Sequence, residues 1–438
     1  MFKRIIMTLT CLAISTTAMA SDMKSKIKEW HTDEGARVLF INAPEIPMVD
    51  IVVSMDAGSF REGDQHGLAA MTATMMTLGT KEMDENAFSE ALENIGSSIS
   101  AGSSIATTTI NIRSLTDEAV LNRTLELWSE MMASPRMDGA IFDRERAQAI
   151  DAQKARLDNP SAIAGELYQS LLFPDQLQGV TSEMLEASLK AMKIEDVKAF
   201  REAYYHATNA NIVIVGALSE QEAKAISTAL SAQLGKTDKT LSPIRNDAKA
   251  VKAQTVRQPF NGPQSQIMMG QVSIDRFNPD FLPLTLGNHV LGGSGLTSLL
   301  MMDIREKQGL TYGIYSYFSP TLLHGPFTIG LATKNESVEH AIEATLKETK
   351  AFIANGPMDA DLERAKNNLI GSSILALSSN RGLASALLTI AQYDLPLDYY
   401  DTYPDRIRAI TKEEIQKAFE KHIHPDDFTI VIVGGAAE

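Results

Sequence analysis

Residues 291–312 read LGGSGLTSLLMMDIREKQGLTY. The stretch begins with a Gly-Gly-Ser-Gly loop at residues 292–295. Apolar residues then recur at helical spacing, which predicts a helix over residues 296–307. Gly309 is expected to end this helix, because glycine readily adopts the left-handed conformation of a helix C-terminus. Residues 310–315 are predicted to form a strand.

This geometry places Arg305 in the last helical turn and Tyr312 just beyond the glycine. Arginine presents a rigid fork of donors that stays charged. A tyrosine hydroxyl group can donate to a carbonyl oxygen that gains negative charge during a reaction. Together the two side chains would hold a peptide carbonyl group. On spacing alone, a surface ion pair for Arg305 and a half-buried strand position for Tyr312 fit as well.

The stretch resembles the R-x-x-x-G-L-x-Y motif that follows a Gly-rich loop in the M16 (pitrilysin-like) zinc peptidases. That family includes mitochondrial processing peptidase and small bacterial two-subunit peptidases. Four residues match position by position: Arg305, Gly309, Leu310 and Tyr312. The resemblance implies that Arg305 and Tyr312 bind substrate from the domain opposite the zinc. It also implies that three loop glycines line the substrate site: Gly292, Gly293 and Gly295.

Composition limits the remaining possibilities. A length of 438 residues indicates two or more domains. The formal net charge of −15 argues against binding to nucleic acid or anionic lipid. Beyond the N-terminus, no uninterrupted apolar stretch approaches the ~18 residues of a membrane-spanning helix, so no span is predicted.

Residues 1–20 have the pattern of a secretory signal peptide. Lys3 and Arg4 precede a largely apolar run at 5–14, and Ala-Met-Ala at 18–20 provides a cleavage site. The only cysteine, Cys11, lies inside this segment and does not follow a lipobox. The mature chain is therefore expected to lack disulfides and to reside in a bacterial periplasm.

The chain repeats itself at half its length. Residues 189–216 and 407–434 align without a gap at an offset of 218, and both end in IVIVG. Such a repeat predicts two copies of one α+β unit. The M16 resemblance implies the same fold class: two homologous α/β half-domains, each a mainly antiparallel sheet covered by helices. The predicted domains are 21–235 and 259–438, joined by a polar linker at 236–258.

The zinc motif of the family is degenerate in this chain. The family pattern is G-x-A-H-x-x-E-H-M-x-x-x-G-T, in which two histidines bind zinc and the glutamate activates water. Residues 67–80 read GLAAMTATMMTLGT. Ala70 and Thr74 occupy the histidine positions, and Ala73 occupies that of the general base. The third ligand, a glutamate on a later helix, falls at about Ala152, beside Asp151.

No replacement metal site is evident, because no two of the remaining histidines have the i, i+3 or i, i+4 spacing that places two ligands on one helical face. The chain is therefore expected to bind no metal or other cofactor, and zinc is expected in a partner subunit. The chain also has no G-x-S-x-G motif and no cysteine outside the predicted signal peptide, so it is expected to be inactive alone.

Two functions follow from the resemblance. In the first, the chain is the non-zinc subunit of a heterodimeric secreted metalloendopeptidase, and its partner is a homologous subunit that carries H-x-x-E-H. In the second, it is a catalytically inactive scaffold or peptide-binding protein. The intact Arg–Tyr motif favours the first. Either way the ligand would be an unstructured peptide, which in this family pairs with a sheet edge, here near residues 97–104.

Overall fold

The computed structural model describes residues 23–244 and 251–435. The predicted signal peptide at 1–20 lies outside the described residues. The described chain folds around two β-sheets, each covered on one face by helices of its own half. The predicted fold class, two α/β halves with mainly antiparallel sheets, is confirmed.

The first half contains a six-stranded sheet of order β1-β2-β6-β3-β5-β4, in which only the β2–β6 pair is parallel. Its strands are β1 (Lys28–His31), β2 (Arg37–Asn42), β3 (Met48–Met55), β4 (Ser98–Ser103), β5 (Thr108–Leu115) and β6 (Ala210–Gly216). Its helices are α1 (Met23–Lys26), α2 (Leu68–Met76), α3 (Glu85–Glu93), α4 (Glu118–Ala133), α5 (Gly139–Arg156), α6 (Pro160–Leu172), α7 (Ser182–Ala191), α8 (Ile194–Tyr204) and α9 (Glu220–Leu234).

The second half contains a five-stranded sheet of order β7-β11-β8-β10-β9, in which only the β7–β11 pair is parallel. Its strands are β7 (Thr255–Gln258), β8 (Gln264–Val272), β9 (Ile314–Phe318), β10 (Pro326–Lys334) and β11 (Thr429–Val433). Its α-helices are α10 (Phe281–Asn288), α11 (Val338–Asn355), α12 (Asp359–Ala376), α13 (Asn380–Gln392), α14 (Tyr399–Ala409) and α15 (Lys412–His422). There are also two π-helical segments, His289–Gly293 and Met301–Lys307, and the first of them includes the first two glycines of the Gly-rich loop.

The sequence repeat corresponds to repeated structure. Helices α8 and α15 have the same length and lie 218 residues apart, as the IVIVG alignment predicts. Each is followed by a short 3₁₀ turn and then by a central strand, β6 or β11. The two halves are therefore copies of one unit in structure as well as in sequence.

Each half also covers the sheet of the other half. Helix α13 of the second half packs on β6, β3 and β2 of the first sheet. Its buried Leu387 and Ile390 join Leu39 and Ile41 in one apolar cluster. Reciprocally, α6 of the first half packs on β11 and β8. Apolar burial on both sides of each sheet joins the two halves firmly.

Two predicted elements begin later than expected. The helix predicted over 296–307 begins after Ser298, whose hydroxyl group accepts a hydrogen bond from the Met301 amide (3.4 Å), as N-cap serines do. It ends as the π-helical segment Met301–Lys307. The strand predicted over 310–315 begins at Ile314, because the Thr311 hydroxyl group donates to the carbonyl oxygen of Ala332 (2.6 Å) and so interrupts pairing with β10.

The predicted linker, 236–258, ends in a strand rather than in irregular chain. Its last four residues form β7, which pairs in parallel with β11. The strand is mostly exposed at the edge of the sheet, so its sequence lacks the apolar alternation that would identify it.

Within residues 23–244 and 251–435, no individual helix has both the length and the apolar composition to cross a membrane. Helices α12 and α13 meet these requirements only when taken together, and they bend by 107° at their junction.

Candidate functional site

The start of α2 is fixed by a buried carboxylate. Glu62 accepts hydrogen bonds from the backbone amides of Gly67 and Ala69, both at 3.0 Å. These are amides that a helix N-terminus leaves without partners of its own. Burial raises the pKa of the Glu62 carboxyl group, and the backbone hydrogen bonds from Ala69, Gly67 and Leu68 oppose that shift. Gly67 itself has a positive φ of 87°, which a residue with a side chain rarely adopts.

The degenerate ligand positions lie around one cavity. Ala70 and Thr74 are exposed on the same face of α2, and Ala152 is exposed on α5. All three line a cavity of about 350 Å³ between these helices and α7. Ala73 points away from it into the core and is only 1% exposed. The packing of α2 against α5 thus brings together positions that are 82 residues apart in sequence.

The side chains around this cavity do not suit zinc. Among the described residues that line it, Glu145 is the only carboxylate, and that carboxylate pairs with the neighbouring Arg144 (2.8 Å). The other polar groups are the Thr74 hydroxyl and the amides of Gln148 and Gln153. Zinc in proteins is held by imidazole, thiolate and carboxylate groups. Across the described ranges, no group of three or more His, Cys, Asp and Glu side chains is placed to hold a metal ion.

The open edge of the first sheet lies beside α2. Strand β4 is the outermost strand, and α2 packs against it. Ile99 and Ala101 face the core, whereas Ser98, Ser100 and Gly102 are exposed. Small side chains on an edge strand allow another backbone to approach closely.

The corresponding edge of the second sheet is covered. Strand β9 is outermost there, but the side-chain amide of Asn288 donates to the carbonyl oxygen of Ser316 (2.9 Å). The Ile314 amide donates to the sulfur atom of Met301 (3.3 Å). These contacts occupy backbone groups that an added strand would need. Of the two equivalent edges, β4 is therefore the better suited to accept a peptide.

Arg305 and Tyr312 lie on either side of the turn at Gly309, which has a positive φ of 65°. The guanidinium group of Arg305 contacts the carboxylate of its neighbour Glu306 (3.1 Å), and its side chain is 33% exposed. Tyr312 precedes β9 and is 87% exposed. No hydrogen bond joins the two side chains within the described part of the chain. The half-buried strand position considered for Tyr312 is therefore wrong.

The three loop glycines differ in their surroundings. Gly292 is buried, and a Cβ atom there would lie 2.3 Å from the hydroxyl oxygen of Ser316, so close packing against β9 requires a glycine. A Cβ atom on Gly293 would lie 3.1 Å from the Asn288 side chain. Gly295 is exposed with a positive φ of 62° and has open space around it. Of the three loop glycines, Gly293 and Gly295 are thus the two that a substrate could contact.

Two features of the site were not predicted from sequence. One is the role of Glu62, although an acidic residue shortly before a helix start is a recognisable signal. The other is a groove between the first sheet and α13, lined by Asp50, Arg113 and Arg381. Its residues come from both halves of the chain, and no local sequence pattern connects them.

Comparisons with known proteins agree with this geometry. Residues 37–178 match the family model for insulinase (peptidase family M16), and residues 191–369 match that for the peptidase M16 inactive domain. A solved structure of a peptidase M16 inactive domain from Pseudomonas fluorescens is 31% identical, with a TM-score of 0.89 over 94% of this chain and 98% of that one.

Two further proteins show how far the likeness extends. The non-peptidase homolog YmxG of Helicobacter pylori is 26% identical over 390 residues, which is 86% of each protein. The periplasmic protease PqqL from Escherichia coli shares the fold with a TM-score of 0.79 and 17% identity, over 93% of this chain and 45% of that one. The chain therefore belongs to peptidase family M16, among the inactive proteins with this fold.

Proposed function

We propose that the chain is the non-zinc subunit of a heterodimeric, secreted M16 metalloendopeptidase. It binds the peptide substrate opposite a zinc site that a homologous partner supplies. The observation that carries this proposal is the exposure of Tyr312, which is 87% accessible next to a structured turn. A tyrosine retained only for packing would bury its ring, whereas a donor to a bound substrate must project from the surface.

The state of the zinc motif supports the same assignment. The helix frame survives, with Gly67 at its start and Glu62 holding its first amides. The zinc-binding side chains do not survive, because Ala70, Thr74 and Ala152 occupy the ligand positions around the cavity. An M16 subunit that relies on its partner for chemistry needs the frame for its fold and needs no ligands of its own.

Chain length gives a second line of support. The structural match to PqqL covers 93% of this chain but only 45% of that one, so the PqqL chain is about twice as long. Two chains of the present size would together match it. A homologous partner with an intact H-x-x-E-H motif would supply the other half of such an assembly, and the zinc would belong to that partner.

Edge strand β4 is the proposed position for the substrate backbone. Its exposed residues are small, and its outer edge is open, in contrast to that of β9. An unstructured peptide would add to it as a further antiparallel strand. Secretion rests on the signal pattern of residues 1–20, and a periplasmic location agrees with that of the PqqL protease.

A catalytically inactive scaffold or peptide-binding protein is the second candidate. The contact between Arg305 and Glu306 favours it, since a structural remnant would keep its arginine in such an ion pair. The two candidates differ in whether the chain raises the proteolytic activity of a partner.

The test is reconstitution with a secreted M16 subunit of similar length that carries H-x-x-E-H, ideally one encoded beside this chain. Cleavage of an unstructured fluorogenic peptide is measured for each subunit alone and for the mixture. The proposal expects activity only in the mixture, at an equimolar optimum, and its loss on chelation. A mixture no more active than the zinc subunit alone would support the scaffold.

A further inference from the structure

Two adjoining cavities form a groove between the first sheet and α13. The larger, of about 490 Å³, extends from the turn after β2 to the start of α13. The smaller, of about 410 Å³, continues along β3 and β5 to the edge strand β4. Asp50, Arg113 and Arg381 line both cavities and mark their junction. The groove therefore leads from the proposed peptide-binding edge into the interface between the two halves.

The charge of the groove is opposite to that of the protein. Two arginines and one aspartate line the smaller cavity. The guanidinium group of Arg113 binds Asp50 through two hydrogen bonds, of 2.7 and 3.0 Å. Asp50 is only 9% exposed, so this pair is a nearly fixed and nearly neutral part of the wall. In the smaller cavity one positive charge, that of Arg381, is therefore left over. The larger cavity adds one cation, Lys26, and one carboxylate, Glu45, so the whole groove has an excess of one positive charge in a chain with a net charge of −15.

Arg381 is placed to meet a ligand. It is the second residue of α13 and its side chain is exposed. Among the residues that the structure describes, no carboxylate forms an ion pair with it. A guanidinium group that faces a cavity without an anionic partner is well suited to bind a carboxylate through two parallel hydrogen bonds.

A peptide paired with the edge strand β4 would lie beside Arg381. Ser98 and Ser100 of β4 line the smaller cavity, whereas Ile99 between them faces the core. Side chains of a strand alternate between its two faces. In a peptide added beside β4, every second side chain would therefore point to the groove side of the sheet, where Arg381 lies.

We propose that this groove selects peptides that carry a carboxylate, and that Arg381 is its specificity-determining residue. The inference rests on the proposed peptide-binding function and adds the class of peptide. The carboxylate belongs either to an acidic side chain on the groove side or to the peptide C-terminus. Asp50 and Arg113 neutralise each other in the groove wall, so Arg381 is the residue that binds the carboxylate.

The test measures binding of fluorescein-labelled unstructured decapeptides to the whole mature chain by anisotropy. One peptide carries glutamate at alternate positions, and a second carries glutamine at the same positions. Each is made with a free and with an amidated C-terminus, which separates the two sources of carboxylate. The variants are Arg381→Gln and Arg381→Glu. Arg408→Glu, at an exposed arginine on α14 that pairs with Asp405, is the matched control.

The wild-type chain is expected to bind at least one carboxylate-bearing peptide about tenfold more tightly than its neutral analogue, the scale of one charge-assisted hydrogen-bonded pair. Arg381→Gln should remove this preference and Arg381→Glu should reverse it, while the neutral peptide and the Arg408→Glu control stay unchanged. Equal binding of all four peptides would overturn the inference and leave peptide binding standing. Binding of none would overturn both.

Discussion

The phenolic hydroxyl group of Tyr168 on α6 donates a hydrogen bond to the backbone carbonyl oxygen of Phe327 on β10 (3.0 Å). The two residues belong to different halves of the chain, and both side chains are fully buried. Gly270 on β8 allows this approach, because a Cβ atom there would lie 2.5 Å from the Tyr168 oxygen. The crossing helix α6 is therefore held to the second sheet by a specific polar contact as well as by apolar burial.

Removal of this hydroxyl group should weaken the whole fold. Tyr168→Phe keeps the ring but leaves the Phe327 carbonyl oxygen without this partner, which costs about 1–2 kcal/mol. Urea unfolding monitored by circular dichroism measures this cost. Tyr315→Phe, on an exposed ring of β9, serves as the control and should change stability little. An unchanged midpoint for Tyr168→Phe would show that the contact contributes nothing.

The fold was largely predictable because its signals are local or repeated. Alternation of small polar and apolar residues over 99–115 indicates the paired strands β4 and β5, and Asp117 and Asp138 are recognisable N-cap residues of α4 and α5. The 218-residue repeat then implied two similar sheets. The late start of the helix at Ser298 and of the strand at Ile314 depended on single side-chain hydrogen bonds, which apolar periodicity does not report.

The wild-type chain should bind no stoichiometric zinc, whereas a variant with the family's ligands at the degenerate positions should bind it. Ala70→His, Thr74→His and Ala152→Glu combined would place two imidazoles and a carboxylate around one cavity. Metal analysis after dialysis should give about one zinc per triple-variant chain. The Ala70→His single variant is the control and should give none. Stoichiometric zinc in the wild type would contradict the degenerate site, and none in the triple variant would show that the three positions do not converge.

The stability contributed by Glu62 should depend on pH with a defined sign. Because burial raises its pKa above 4.5, the folded state holds this proton more tightly than the unfolded state does. The wild type should therefore lose stability relative to Glu62→Gln as the pH rises from 4.5 through the folded-state pKa. Urea unfolding of the wild type and of Glu62→Gln is measured between pH 4.5 and pH 7. The difference between their free energies of unfolding is then followed as a function of pH. A difference that grows in favour of the wild type would reverse the assignment.

The site was less predictable than the fold. The family pattern located Arg305, Tyr312 and the degenerate helix, because these lie in contiguous motifs. The pattern did not reveal that Gly292 packs against Ser316, or that β9 is a covered edge while β4 is open. Those properties arise from contacts between separate elements, and a motif carries no information about them.

The Arg–Tyr pair provides the most direct test of the proposed role in catalysis. Tyr312→Phe removes one donor and keeps the ring, and Arg305→Lys keeps the charge but loses the planar fork. The control is Tyr317→Phe on β9, whose ring is half-buried and stacks on Tyr315. Neither Tyr312→Phe nor Arg305→Lys should alter the dissociation constant of the two subunits much, since both side chains are proposed to face the substrate.

The decisive measurement is kcat of the reconstituted two-subunit complex on an unstructured peptide, for wild type and for Tyr312→Phe. Loss of one donor to a developing oxyanion typically lowers kcat by about 10²–10³. We expect a decrease of that size in Tyr312→Phe, a clear decrease in Arg305→Lys and wild-type turnover in Tyr317→Phe. Wild-type turnover in both Tyr312→Phe and Arg305→Lys would contradict a substrate-binding role for the motif and would favour the scaffold.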